Sequence, residues 1–491
     1  MKPIPWPFHT KAVRSALAAV RAGKRIVPWP FQTKAVRDAL TALSAGKRVL
    51  LVSPGGSGKT VMAGMLVLWA ARTGKRVLMI SHRRQILRQT YDLLKIMGVP
   101  EADIGLIYGD APAAMVRPRA RVQIASAQAL CRMDVRPKAE IVIVDECHRV
   151  LAPGYLKLVE RYESAMHVGL TATPFRLDGV GLGHFYDHQI IAAQPSELIR
   201  AKLLAEPRIF GAMDQCQPDL RSVRIARGDY LAADLEPRVM RQAIIGGIPE
   251  HWAKRARGKQ SMAFALSIAH SKAIDARFRA AGIRSDHVDG TMSHKQRDAI
   301  IDDFKRGHLQ VLCSCELLIE GFDLPECDAV VLARPTTSLG IVLQQSARAM
   351  RYHKGLRPVL LDHARLFPWF GIPDGDRPYV LTKGRMTPEI RNPEPIRMCS
   401  NQECNLIYRA NGDVCPECGA EHVKVPDSPE REGGHGRIGI PEEIAGDLKE
   451  YSDADRIALK KRVEDYATKN QLPQEWVTNV LAMWVGFRVA S

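Results

Sequence analysis

Ser53-Pro-Gly-Gly-Ser-Gly-Lys59-Thr60 packs three glycines, a lysine and a threonine hydroxyl into eight consecutive positions. Gly55, Gly56 and Gly58 free the backbone to aim successive N–H groups at one point, which suits an anion. Lys59 adds a mobile positive charge, and the Thr60 hydroxyl suits a divalent cation. Together they are the equipment for a nucleoside triphosphate, with Pro54, Gly55, Gly56, Ser57, Gly58, Lys59 and Thr60 as the expected contacts. Asp145-Glu146-Cys147-His148 lies downstream, at the end of the apolar run Ile141 to Val144. Asp145 is suited to hold Mg²⁺ together with Thr60, and Glu146 to orient and deprotonate an attacking water.

These groups work only if the chain presents them together. Arg48 to Val52 reads as a buried strand and Val61 to Ala71 as a helix, so the glycines fall in a strand–loop–helix turn whose helix start also favours anions. Ile141 to Val144 reads as a second strand that delivers its carboxylates where parallel strands open into a crevice. Strand and helix patterns alternate from about Val49 to Ala172 and again from about Arg208 to Asp362, the signature of parallel α/β sheets. The second series has expected strands near Met262 to Leu266, Gln310 to Cys313, Ala329 to Leu332 and Pro358 to Leu361.

On these motifs and their order, the chain resembles the superfamily 2 nucleic-acid helicases and translocases of the DEAD/DEAH-like type, here with a DECH box. Phe31-Gln32 stands where that superfamily has a glutamine that reads adenine. Ile80-Ser-His82-Arg83-Arg84-Gln85 and Ile124-Ala-Ser126-Ala-Gln128 resemble its nucleic-acid-contacting segments, and Ala263 to Ser267 is similar to a third. Thr171-Ala172-Thr173, within Leu170 to Arg176, resembles the segment that couples hydrolysis to movement. Glu320-Gly321-Phe-Asp323 and Gln344-Gln-Ser-Ala347-Arg348-Ala-Met-Arg351 resemble two further elements, with Ala347 where the superfamily carries Gly. The resemblance spans about residues 28 to 366. It implies two tandem RecA-like domains, ATP and Mg²⁺. His148, Gln344, Arg348 and Arg351 join Lys59, Asp145 and Glu146 as catalytic candidates, and Gln32, Gly321 and Asp323 join the nucleotide contacts. The nearest likeness within the superfamily is to RadD-like and XPB-like DNA helicases and to phage and prophage members.

The expected organisation is a duplicated segment at 1–27, a RecA-like ATP-binding domain at 28–200 and a helicase C-terminal domain at 201–370. A zinc-ribbon-like module at 395–423, a linker at 424–440 and a helical region at 441–491 follow. The duplication is plain: Pro5 to Arg25 and Pro28 to Arg48 share 16 of 21 positions. Only the second copy runs into the phosphate-loop strand, so the first copy is expected to lie outside the core. Cys399-x4-Cys404 and Cys415-x2-Cys418 offer four thiols for a tetrahedral Zn²⁺, with Gly419 allowing the tight turn. Disulfides and an iron–sulfur cluster are the alternatives.

Seventy Lys and Arg against 53 acids give a net charge of +17, which favours a polyanionic partner. Residues 1–49 hold ten of the basic residues and one acid, Asp38, so much of the excess is local. No apolar stretch reaches the roughly 18 residues of a membrane span, and Pro3, Pro5 and Pro7 interrupt any leader. A cytoplasmic enzyme acting on nucleic acid, DNA before RNA and without a membrane, is the expectation, with the C-terminal region as the place for a protein partner. The function expected is ATP-dependent helicase or translocase activity in repair, recombination or replication. The other readings are the motor subunit of a restriction or phage-defence system and an ATP-regulated binding scaffold. Pro373-Asp374 lacks the downstream acid of a nuclease motif, which argues against a nuclease within this chain.

Overall fold

Val49, Leu50, Leu51 and Val52 are all buried, and they alternate between two separate apolar clusters. A strand with two covered faces belongs in the middle of a helix-flanked parallel sheet. The computed structural model places it there. It describes residues 4–5, 26–81, 84–109, 111–213, 216–220, 222–226, 228–315, 327–352, 355 and 357–421, with 461, 464, 465 and 468. The chain divides into two compact units, Met1–Gly412 and Asp413–Ser491. Both large sheets lie in the first.

The first sheet has strands β1 (Val49–Val52), β2 (Val77–Ser81), β3 (Ile104–Ile107), β4 (Val122–Ser126), β5 (Ile141–Asp145), β6 (Met166–Thr171) and β7 (His188–Ile191). Their order is β3-β4-β2-β5-β6-β1-β7, and every pairing is parallel. The register aligns Val52 with Thr171, Ser81 with Ser126 and Asp145 with Leu170. The motif-bearing loops therefore leave from one edge of the sheet. The helix Pro30–Ser44 packs beside them; it starts with Pro at its first position and ends before Gly46 at φ 74°.

The second sheet has β8 (Arg208–Gly211), β9 (Ser261–Ala265), β10 (Ser285–Val288), β11 (Val311–Cys315), β12 (Ala329–Leu332), β13 (Val359–Asp362), β14 (Ile396–Met398) and β15 (Leu406–Arg409). Its order is β10-β11-β9-β12-β13-β8-β15-β14. The first six strands are parallel; β15 and β14 add on antiparallel. Two tandem parallel-sheet lobes are thus present, with strand ends within a residue or two of the sequence expectation. One difference stands out. The sequence reading sets 395–423 apart as a separate module, whereas β14 and β15 continue the second sheet. Ile407 packs into that lobe's core, and Lys254 and Arg255 bind Glu403 and the Glu403 and Cys404 carbonyls. Nearly all of the first repeat copy, the 424–440 linker and most of 441–491 fall outside the described residues. Among the described residues, no helix is long and apolar enough to cross a membrane.

Burial in the second lobe makes a testable demand on pH. His251 Nδ1 and His363 Nε2 face each other at 3.0 Å. Burial, with Arg255 and Lys254 nearby, pulls His251 down from 6.5 to about 4, and burial lowers His363 further. His270, fully buried, is also pulled down to about 4. A group whose folded pKa lies below its unfolded value takes up a proton on unfolding. Stability is therefore lost as pH falls from about 6.5 towards 4, by roughly 1 kcal/mol per pH unit for each such histidine. Urea midpoints at pH 7, 5.5 and 4.5 should fall accordingly, and His251→Gln should make that decline shallower.

Candidate nucleotide site

The phosphate loop sits between β1 and the helix Lys59–Arg72. Gly56 and Gly58 adopt φ 84° and 79°, a left-handed backbone that side chains resist. The Ser57 hydroxyl donates to the Pro54 carbonyl at 2.7 Å, and Lys59 Nζ curls back to the Ser53 carbonyl at 3.3 Å. Ser53 itself is fully buried, and its N–H bonds the Thr171 carbonyl at 3.0 Å. The loop is thus tied to the end of β6. Thr60 lies on the first helical turn and Asp145 at the tip of β5.

Glu146 departs from ordinary backbone, with φ 49° and ψ 50°. A non-glycine residue held there costs about 1–3 kcal/mol, a strain that clusters at functional sites. Its Oε2 lies 3.3 Å from Nδ1 of His148, which is buried. Cys147 of the same box is fully buried against Tyr186 and Gly169, where a methyl group would meet its sulfur at 2.6 Å. Burial pushes the Cys147 thiol far up, so it is a packing residue.

The opposite wall comes from the second lobe. Gln344 lies on the helix Leu339–Ser346, with Ala347 closing it and Arg348 and Arg351 just beyond. Gln344, Arg348 and Arg351 line one cleft with Gly55, Gly56, Lys59, Glu146 and Ala172. The lobes touch across it: a methyl on Gly55 would come 2.9 Å from Ala347 Cβ, and one on Gly56 3.7 Å from Arg351 Cγ. Its volume, about 210 Å³, is below the usual range for ligand pockets. The Thr171 hydroxyl donates to the Thr173 carbonyl at 2.7 Å, and the Thr173 hydroxyl oxygen would lie 3.3 Å from a methyl on Gly340, at the start of the Gln344 helix. Thr171 to Thr173 therefore link the sheet edge under the phosphate loop to the second lobe.

Gln32 is fully buried. Its Nε2 donates to the Ser57 carbonyl at 2.9 Å, and its Oε1 accepts from the Trp29 N–H at 2.9 Å. The amide braces the phosphate loop from behind. Ser126 and Ser267 each cap a helix, accepting from Ala129 and His270 N–H groups, and Ser267 also donates to Glu236. Gln128 is exposed. Ser126 and Gln128 share a surface cavity with Arg117, Arg132 and Arg136, three arginines that the sequence reading does not single out. Their signal was present as basic residues within ten positions either side of the motif. His82, Arg83, Gly321 and Asp323 lie outside the described residues, and Arg84 opens the helix Arg84–Ile96.

The thiol sulfurs of Cys399, Cys404, Cys415 and Cys418 lie within 4.8 Å of one another. Sulfurs bound tetrahedrally to one Zn²⁺ at about 2.3 Å sit about 3.8 Å apart, so the set fits that ion. Tight turns present them: the Gly419 N–H bonds the Cys415 carbonyl at 2.9 Å with φ 71° at Gly419. A metal assay on protein purified without added zinc should return about one zinc per chain, and Cys415→Ser should lower that severalfold.

Comparison with known proteins fits this geometry. Residues 25–176 match the family "Type III restriction enzyme, res subunit", and residues 240–353 match "Helicase conserved C-terminal domain". A 51.5 kDa protein of a Lactococcus phage (isolate 7-9) is 30% identical over 372 residues, covering 75% of this chain and 77% of that protein. The Schizosaccharomyces pombe protein named "Putative mitochondrial ATP-dependent helicase irc3" is 28% identical over 321 residues, covering 62% of this chain and 52% of that protein. This chain thus spans about half the length of the yeast relative. Among solved structures, the ATP-dependent Type ISP restriction-modification enzyme LlaBIII bound to DNA aligns with a TM-score of 0.51 and 18% identity, over 68% of this chain and 27% of that one. That likeness concerns the fold.

Proposed function

Because the chain belongs to the superfamily 2 helicases and hydrolyses ATP, we propose that it is a DNA translocase or helicase whose ATP site is completed only across the two lobes. One observation carries this reading: Lys59 and Glu146 of the first lobe line the same cleft as Gln344, Arg348 and Arg351 of the second. Lys59 and the loop N–H groups would hold the β- and γ-phosphates, with Gln32 bracing the loop. Thr60 and Asp145 would hold Mg²⁺, which supplies charge neutralisation when bound. Glu146, oriented by His148, would take the proton of the attacking water. Arg348 and Arg351 would offset charge that grows on the transferring phosphoryl group. The close contact of Ala347 with Gly55 supports a cycle in which the lobes part to admit ATP and close to hydrolyse it. Through Thr171 to Thr173, that motion would reach His82 to Arg84, Ser126, Gln128 and Ser267. Contacts there to phosphate would be sequence-independent and salt-sensitive. Gly321 and Asp323 are proposed as second-lobe nucleotide contacts.

The net charge of +17 suits DNA and RNA alike; DNA is proposed because the Type ISP structure of similar fold is bound to DNA. A cytoplasmic role in DNA repair, recombination or replication is proposed. The restriction-subunit family match over residues 25–176 favours a second reading, the motor of a restriction or phage-defence system whose nuclease is another chain. ATPase assays with single-stranded, duplex and forked DNA and with RNA decide the substrate, paired with strand displacement. The expected result is about tenfold or greater stimulation by DNA that fades as salt rises. Stimulation by RNA alone would sink the DNA reading, and duplex stimulation without displacement would mark a translocase.

A further inference from the structure

Beyond β13 the chain does not stay with the second lobe. It turns at Gly371 (φ 67°), crosses to the first lobe, and returns by the helix Pro388–Arg391. Its root is closed by one buried side chain: the Arg377 guanidinium donates to the carbonyls of Phe370, Ile372, Ile390 and Arg391 at 2.9, 3.3, 2.8 and 2.5 Å. Asp374, also buried, pairs with Arg409 of β15 at 3.0 Å.

The crossing segment docks on the first lobe through backbone as much as side chain. The Gly183 N–H donates to the Thr382 carbonyl at 2.9 Å, the Gly181 N–H to the Gly384 carbonyl at 2.8 Å, and the Met386 N–H to the Gly179 carbonyl at 2.8 Å. The Asp376 carboxylate accepts the Ser196 N–H at 2.9 Å and its hydroxyl at 2.6 Å. The Gln194 side chain donates to the Arg377 carbonyl at 2.9 Å, and Gln189 of β7 donates to the Tyr379 carbonyl at 2.8 Å. Gly181 and Gly183 form a cradle made for this contact: a methyl on either would meet Thr382 backbone at 2.2 or 2.8 Å. The Tyr379 ring packs 6.3 Å from Phe175, just past Thr171 to Thr173.

The alternation along this segment points to a use. Pro373, Gly375, Arg377 and Tyr379 line the nucleotide cleft, while Asp374 and Asp376 turn away to bind Arg409 and Ser196. The segment meets the cleft as an irregular chain, with the Gly375 N–H on the Ile372 carbonyl at 3.3 Å and the Tyr379 N–H on the Arg377 carbonyl at 2.8 Å. We propose that residues 373–386 are a strap that forms a third wall of the ATP site, rooted in the second lobe and held in place by the first, and that it positions the bound nucleotide. The proposal rests on the reading of this cleft as the ATP site.

The test uses the full chain. Gly183→Val puts branched carbon where the Thr382 carbonyl lies and displaces the strap without touching phosphate or water. The expected result is a rise of about tenfold or more in KM for ATP with kcat within about threefold, a split that lost fold stability alone does not produce. Asp376→Ala should raise KM about threefold, and Asp376→Asn, which still accepts the Ser196 N–H, should restore it. An unchanged KM in folded Gly183→Val overturns the proposal. Should that variant not fold, an unchanged KM in Asp376→Ala overturns it. Lys59→Ala tests the cleft itself: undiminished turnover there would remove the ATP-site reading, whereas an inactive Lys59→Ala beside strap variants with unaltered KM removes the strap alone.

Discussion

Glu146→Gln should lower ATP turnover by about a thousandfold while leaving nucleotide affinity within about threefold of the parent. The amide keeps the shape of the carboxylate and its contact with His148, but it does not accept a proton from water at neutral pH. The backbone around it is already committed: φ 49° at Glu146 places the side chain in the cleft at a cost in strain. Gln inherits that strain, so the thermal midpoint should move little. Single-turnover hydrolysis and titration with a fluorescent nucleotide separate chemistry from binding. Turnover within threefold of the parent would remove Glu146 from the water-activating role.

Arg348→Ala and Arg351→Ala should each cost about a thousandfold in kcat, in line with guanidinium groups that act on transferring phosphoryl groups. The two should differ in KM. The Arg351 stem lies against Gly56, about 3.7 Å from where a methyl would sit, and its backbone bridges Leu204. Its truncation also loosens the lobe contact over the phosphate loop, so KM should rise with the fall in kcat. Arg348→Ala should leave KM nearer the parent value. Lysine at either position should recover little, because a point charge does not reproduce a planar fork. Steady-state ATPase in saturating DNA measures both constants, and full activity in both alanine variants would dismiss the second lobe from the chemistry.

The parts of the site legible in sequence are those whose geometry is local. Ser53 to Thr60 carries its own turn residues, strand and helix within about twenty positions, so position and conformation follow from residue type. Asp145-Glu146 needed only the apolar run before it. The family resemblance implies a second wall, and Gln344, Arg348 and Arg351 line the cleft. The strap was not legible. Pro373-Asp-Gly-Asp-Arg-Pro-Tyr379 has the composition of a loop, and its partners Gln189, Gln194 and Ser196 lie 180 to 190 residues earlier. Asp374 could be weighed only as half of a nuclease motif; its actual partner, Arg409, comes from a strand expected to belong to a metal module. Gln32 shows a subtler gap: spacing places it by the phosphate loop, but not that both ends of its amide are engaged by backbone.

The strap also sets an order on biosynthesis. β7 is the last strand of the first sheet, and the Tyr379 carbonyl that its Gln189 side chain binds is made about 190 positions later. At typical elongation rates of about 5–20 residues per second, the first lobe waits about 10–40 s on the ribosome without that contact. An uncovered strand margin is a template for pairing with other chains. A nascent or truncated chain that stops after Phe370 should therefore bring the first lobe into the cell as a sticky species, held back by chaperones rather than by its own sequence.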